Sequence, residues 1–141
     1  MELKIGAEEM AEFLHEVFPQ VRGMFGIDRL DETILIMRLH SDERHLRPGG
    51  TVSGPAMFSL ADVAAYVATM CFIGKEALAV TTHCSIDFMR KPEAGKDLLA
   101  EAKVLKLGKA LSVTDVLLFS EGSDKPVAHA SLTYSIPPAR G

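Results

Sequence analysis

The chain has 141 residues, 48% of them hydrophobic and 24% charged, the size and composition of one globular domain whose core needs no metal or disulfide support. Its 19 acids outweigh 15 lysines and arginines to a net charge of −4, which argues against nucleic-acid binding, where a basic surface must displace phosphate counterions. No charge block, low-complexity tract or fixed-period repeat breaks the sequence, so disorder and repeat architectures are set aside.

In chain order, the opening MELKIGAEEMAEFLHEVF is too acidic, and its apolar run too short, for a signal peptide, so the expected compartment is cytoplasmic. Met10, Phe13, Leu14 and Val17 recur at helical spacing behind first-turn acids, which predicts an amphipathic helix over 7–20. Residues 31–40 read as a strand with Thr33, Leu35, Met37 and Leu39 on one face. A loop rich in Pro, Gly and charge follows over 41–54. Residues 55–73 then form one long apolar helix that Gly74 would end. They approach the length of a membrane span, but Asp62 would be costly in lipid and only one such run exists, so a buried core helix is expected and no membrane.

Four strands complete the chain, over 79–90, 98–106, 110–119 and 126–136. In the last, Ala128, Ala130, Leu132, Tyr134 and Ile136 face one way. Short connections between successive strands predict an antiparallel meander. The expected architecture is α+β, one domain over 1–141 with an antiparallel sheet against a central helix. Cys71 and Cys84 have no CxxC partner and no histidine at ligand spacing, so they read as core residues, with no metal site.

Asp62 is the only charge in the long helix. At about 100° per residue it shares a stripe with Pro55, Phe58, Ser59, Tyr66 and Thr69, while the other positions are nearly all Ala, Val, Leu and Met. A solvated face would normally carry Lys, Glu or Arg; short hydroxyls around one acid look more like the lining of a cleft or an interface. At the start of the helix, Ser53 or Gly54 can be the N-cap, with Pro55 in the first turn. That end presents unpaired N–H groups and a positive dipole, which stabilise an oxyanion, and Gly54 lets a ligand approach the backbone.

RPGGTVSGPAMFSLAD, with the strand TTHCSIDFMRKP after it, resembles the hot-dog fold acyl-CoA thioesterases of the phenylacetate-degradation (PaaI-like) type, over about 31–137. Gly50, Gly54 and Leu60-Ala61-Asp62 fall at the family's spacings. The resemblance implies an antiparallel sheet wrapped around a long central helix, with Asp62 as nucleophile or as the base that activates water. It also implies that the Gly54 amide polarises the thioester carbonyl and that Thr81 helps place the water or carboxylate. Thr81 is expected on the polar face of its strand with His83, Ser85 and Asp87.

Three positions depart from the family: Arg47 stands for its Asn, Ser53 for its His and Pro55 for its second Gly. Together with Tyr66, His83, Arg90 and Lys91 they are the candidate substrate-binding residues, the last two facing the phosphates of coenzyme A. No cofactor is implied beyond the coenzyme A of the substrate. The family arrangement places each site between two subunits, so a homodimer or a dimer of dimers is expected, with Asp62 and Gly54 from opposite chains. The three departures motivate an alternative, an acyl-CoA-binding protein without turnover. A hydratase on the same fold would want a His and Asp pair that Ser53 does not supply.

Overall fold

The computed structural model describes residues 1–138; residues 139–141 of the expected 1–141 domain lie outside the described residues. The elements are α1 (Ala7–Val17), β1 (Phe25–Leu30), β2 (Leu35–Leu39), α2 (Gly54–Ile73), β3 (Val80–Phe88), β4 (Leu98–Leu107), β5 (Leu111–Ser120) and β6 (Pro126–Ser135). The strands form one antiparallel sheet in the order β1-β2-β4-β5-β6-β3. Helix α2 lies across it, against every strand from β2 to β3.

Small and apolar residues let α2 sit there. Ala61, Ala64 and Ala65 bring its backbone close to the sheet, while Leu60, Val67, Met70 and Cys71 fill the space between, all without solvent exposure. The helix is long and apolar enough to cross a membrane, yet 72% of its apolar window is buried within the fold. Its start is fixed by Ser53, whose Oγ accepts from the Ala56 N–H at 3.3 Å, with Pro55 in the first turn. Its end is fixed by Gly74, whose N–H donates to Met70 O at 2.8 Å and whose φ of 100° favours glycine.

Three expectations are corrected. Helix α1 stops at Val17 rather than 20, because Phe18 precedes Pro19 and is pushed to φ −131°. The strand expected over 31–40 begins only at Leu35: the Asp31 carboxylate accepts from the Thr33 N–H, the Thr33 hydroxyl and the Ile34 N–H at 2.7–3.0 Å, closing a turn that takes Thr33 off the strand. Strand β1, which pairs with β2, was not anticipated; Gly26 and a bulge between Ile27 and Arg29 interrupt its alternation.

A further correction concerns order. Strands β4, β5 and β6 do form a meander, but β3 pairs with β6 at the sheet edge instead of with β4. Residues 89–97 carry the chain back past β6 and β5. Nine residues reach about 30 Å, ample for the roughly 14 Å of three strand spacings. The crossing is anchored by Met89 N–H to Val127 O at 2.8 Å and Glu93 N–H to Ser120 Oγ at 2.9 Å.

Candidate active site

Asp62 lies two turns into α2, half-buried, and its carboxylate is held from the sheet. The Thr81 hydroxyl of β3 donates to Oδ1 at 2.5 Å. The Tyr134 hydroxyl of β6 lies 2.9 Å from the same oxygen and 3.0 Å from the Asp62 carbonyl. Among the described residues, no side chain donates to Oδ2.

The carboxylate opens on a pocket of about 410 Å³ walled by Phe18, Val63, Tyr66, Ala79 and Val80. The Tyr66 hydroxyl donates to Ala77 O at 2.7 Å, so this side chain presents its ring and not its polar end. That ring stacks on Tyr134 with centroids 5.8 Å apart, and Phe18 meets it edge-on at 6.5 Å. Burial, then the Asp62 charge, pushes the Tyr134 hydroxyl well above the ordinary tyrosine range. Burial, and the nearby Glu76, likewise raise Tyr66, so both phenols remain protonated donors at neutral pH.

A bulge decides which residues of β3 reach Asp62. Thr81 pairs with Tyr134 and Cys84 with Leu132, whereas His83 pairs with Thr133, so Thr82 is the extra residue. Thr81, Cys84 and Ile86 therefore share the helix-facing side; His83, Ser85 and Asp87 face away. The expected grouping of Thr81 with those three fails for this reason, and His83 is not brought to Asp62. Cys84 packs against the core, as read from sequence, and also stands near the carboxylate: burial, and then the charge of Asp62, raise its thiol. A thiol kept protonated is a poor nucleophile. Thr69 also leaves the proposed stripe, since it is fully buried and donates to Ser112 Oγ at 2.9 Å within the core. Tyr134 had no sequence signal beyond its place on the inward face of its strand.

The N-terminus of α2 opens on a second cleft of about 390 Å³, where Arg47, Gly54, Phe88, Arg90 and Lys91 converge and, among the described residues, no acid lines the wall. The loop before it is built by local chemistry. Asp42 caps the turn Glu43–His45, the buried His45 accepts the Asp42 N–H on Nδ1 at 3.1 Å, and the Ser53 N–H donates to His45 O at 2.7 Å. Arg47 and Thr51 close a tight turn through Gly49 and Gly50 at φ 102° and 82°. Arg47 is exposed, and Arg90 reaches back to Pro126 O at 3.3 Å. Ser53 spends its hydroxyl on the cap, and Pro55 is exposed. Gly54, as the first residue of α2, has no intrahelical acceptor for its N–H. Eight residues separate it from Asp62, about 12 Å of helical rise, and the two open on different cavities.

The sequence profile described as thioesterase superfamily matches residues 49–127, from the turn before α2 into β6. The chain belongs to the thioesterase superfamily. This thioesterase is 58% identical to a candidate thioesterase of Silicibacter sp. TM1040, whose crystal structure aligns over 98% of this chain and 96% of that one with a TM-score of 0.92. The PaaI protein of the E. coli phenylacetic acid degradation operon is 26% identical, covers 94% of each chain and gives a TM-score of 0.76. Mouse acyl-coenzyme A thioesterase 13 is 27% identical over 133 residues, 88% of this chain and 94% of its own length. The fold is the hot-dog fold, a six-stranded antiparallel sheet around one long helix, and the protein is a thioester hydrolase. The alternative of a binding protein without turnover gives way to that assignment.

Proposed function

We propose that this thioesterase hydrolyses acyl-CoA thioesters to the free acid and CoA, with Asp62 as the working carboxylate. The observation that carries the reading is the carboxylate itself, among the described residues the only acid lining its open pocket, with one oxygen tied by hydroxyls and the other without a side-chain donor. An isolated acid in such surroundings has chemical work as its best explanation. Asp62 attacks the thioester carbonyl or deprotonates the water that does, and Thr81 holds it in place. The Gly54 N–H, at the positive end of a 20-residue helix, receives the developing oxyanion.

Two further features support acyl-CoA as substrate. The cleft beside Gly54 gathers Arg47, Arg90 and Lys91 without an acid, on a chain whose net charge is −4, which suits the phosphates of the nucleotide. The pocket beside Asp62 offers aromatic and aliphatic walls for an acyl group. Ser53 and Pro55 act through the backbone, by setting where the Gly54 N–H points. No metal or redox cofactor enters this chemistry. Because Gly54 and Asp62 open on separate cavities, a complete site takes Gly54 from one chain and Asp62 from another, in a homodimer or dimer of dimers. The reading places the protein in the cytoplasm, where CoA esters are soluble substrates.

Thiol release from a panel of short, medium, long and aromatic acyl-CoAs tests this, native protein against Asp62→Asn. The variant should bind substrate yet turn over at least about a hundredfold more slowly. Equal rates would remove Asp62 from the mechanism, and a native protein inactive on the whole panel would remove acyl-CoA as its substrate.

A further inference from the structure

We infer that Tyr134 is a positioning residue: with Thr81 it pins Oδ1 of Asp62 and so selects Oδ2 as the oxygen that works on the thioester. The inference rests on Asp62 being the working carboxylate.

The geometry is convergent. Thr81 and Tyr134 sit directly opposite one another on paired strands, and both hydroxyls reach the same carboxylate oxygen, at 2.5 and 2.9 Å. The bulge at Thr82 creates this arrangement, since an unbroken strand would place Thr81 and Cys84 on opposite faces. Tyr134 is only 4% exposed and its ring is stacked on Tyr66, so the hydroxyl has little freedom to go elsewhere. A buried phenol needs an acceptor, and the Asp62 carbonyl at 3.0 Å would suffice for that need alone. The carboxylate contact goes beyond it. Shared between carbonyl and carboxylate, the one phenolic hydrogen ties the side chain of Asp62 to its own backbone.

The consequence is a division of labour between two oxygens. Donors on Oδ1 hold charge there and stop the carboxylate from rotating, while Oδ2 keeps its lone pairs for the water or the thioester carbon. Without Tyr134 the carboxylate turns on Thr81 alone, and productive geometry becomes one orientation among several.

The experiment compares Tyr134→Phe, Thr81→Ser, Asp62→Asn and native protein by steady-state thiol release from the best acyl-CoA of the panel, with kcat and KM separated, and by thermal melt. Tyr134→Phe keeps the stacked ring. It should melt as the native protein does and keep its KM within about twofold, while kcat falls about tenfold to a hundredfold, the scale of a hydrogen bond to a charged group. Thr81→Ser, which keeps a hydroxyl at the same place, should retain most of the native rate. The inference is overturned if Tyr134→Phe has native kcat while Asp62→Asn is inactive. It is equally overturned if the loss comes as a lower melting temperature and a higher KM with kcat unchanged, the pattern of a structural role. An active Asp62→Asn would instead remove the reading on which it rests.

Discussion

A Cβ built on Gly54 would meet only the Phe88 ring, at 3.5 and 3.7 Å, ordinary contact distances, and the backbone there is not in the left-handed region. Packing within one chain therefore does not require glycine at this position, and any demand for it would come from something that approaches from outside. In the proposed mechanism that is the thioester carbonyl, which has to come within hydrogen-bond distance of the N–H. Gly54→Ala separates the two demands. Its melting temperature should hold or rise, since the unfolded chain loses freedom equivalent to about 0.4–1 kcal/mol. Its kcat/KM should fall about tenfold or more, the penalty of a displaced reacting atom. A variant that is both stable and fully active would mean that no substrate atom comes close to this backbone.

Among the elements, the two outermost strands on the β1 side are tied to the meander by charge. Arg38 of β2 places its guanidinium against Asp28 at 2.8 Å, Asp97 at 3.0 Å and Glu121 at 2.5 Å, gathering a residue of β1, the residue just before β4 and the residue just after β5. Burial alone would raise the Asp97 carboxyl, but the Ser41 N–H and Arg38 together hold it below its usual value. The sign of the effect follows. At neutral pH both folded and unfolded chains carry the charge; as pH falls through the ordinary carboxylate range near about 4, the unfolded chain takes up the proton first and stability declines. Urea unfolding should therefore show Asp97→Asn less stable than the native protein near about pH 7, with the gap narrowing towards about pH 3. A gap that stays constant would mean that Asp97 acts by shape and not by charge.

The same elements show what a sequence can and cannot carry. The core helix and the strands from β3 to β6 were legible because each is a long run bounded by turn residues, and Gly54 and Asp62 fall on the helix where that run puts them. Strand β1 was not legible, since Gly26, Asp28 and a bulge erase its alternation. The place of β3 beside β6 was hidden because nothing local distinguishes a nine-residue crossing from a hairpin loop. At the site, one bulged residue moved Thr81 onto the side of Cys84 and left His83 on the other. Tyr134 escaped notice because its partner is 72 residues away.

At the scale of the whole molecule, β3 is an edge strand whose residues are mostly exposed, and Val80, Phe88 and Met89 leave half or more of their surface to solvent. An unpaired edge with apolar side chains invites another strand, and a second copy of β3 would satisfy it by two-fold pairing. Such a pairing brings the strand bearing Thr81, and the Phe88 beside Gly54, towards the same elements of the partner. If the site is shared in this way, two inactive variants can repair one another. Asp62→Asn spoils the carboxylate, and Gly54→Val fills the approach to the N–H with a branched side chain; each alone should be inactive. Co-expressed with different tags and purified through both, the hybrid dimer has one site with both lesions and one with neither, and should show about half of the native rate. A chain that builds its whole site from its own Gly54 and Asp62 would leave every site in the hybrid damaged. Activity of the doubly tagged fraction thus decides between a shared and a private site, and an absence of doubly tagged protein would place the edge of β3 outside any stable interface.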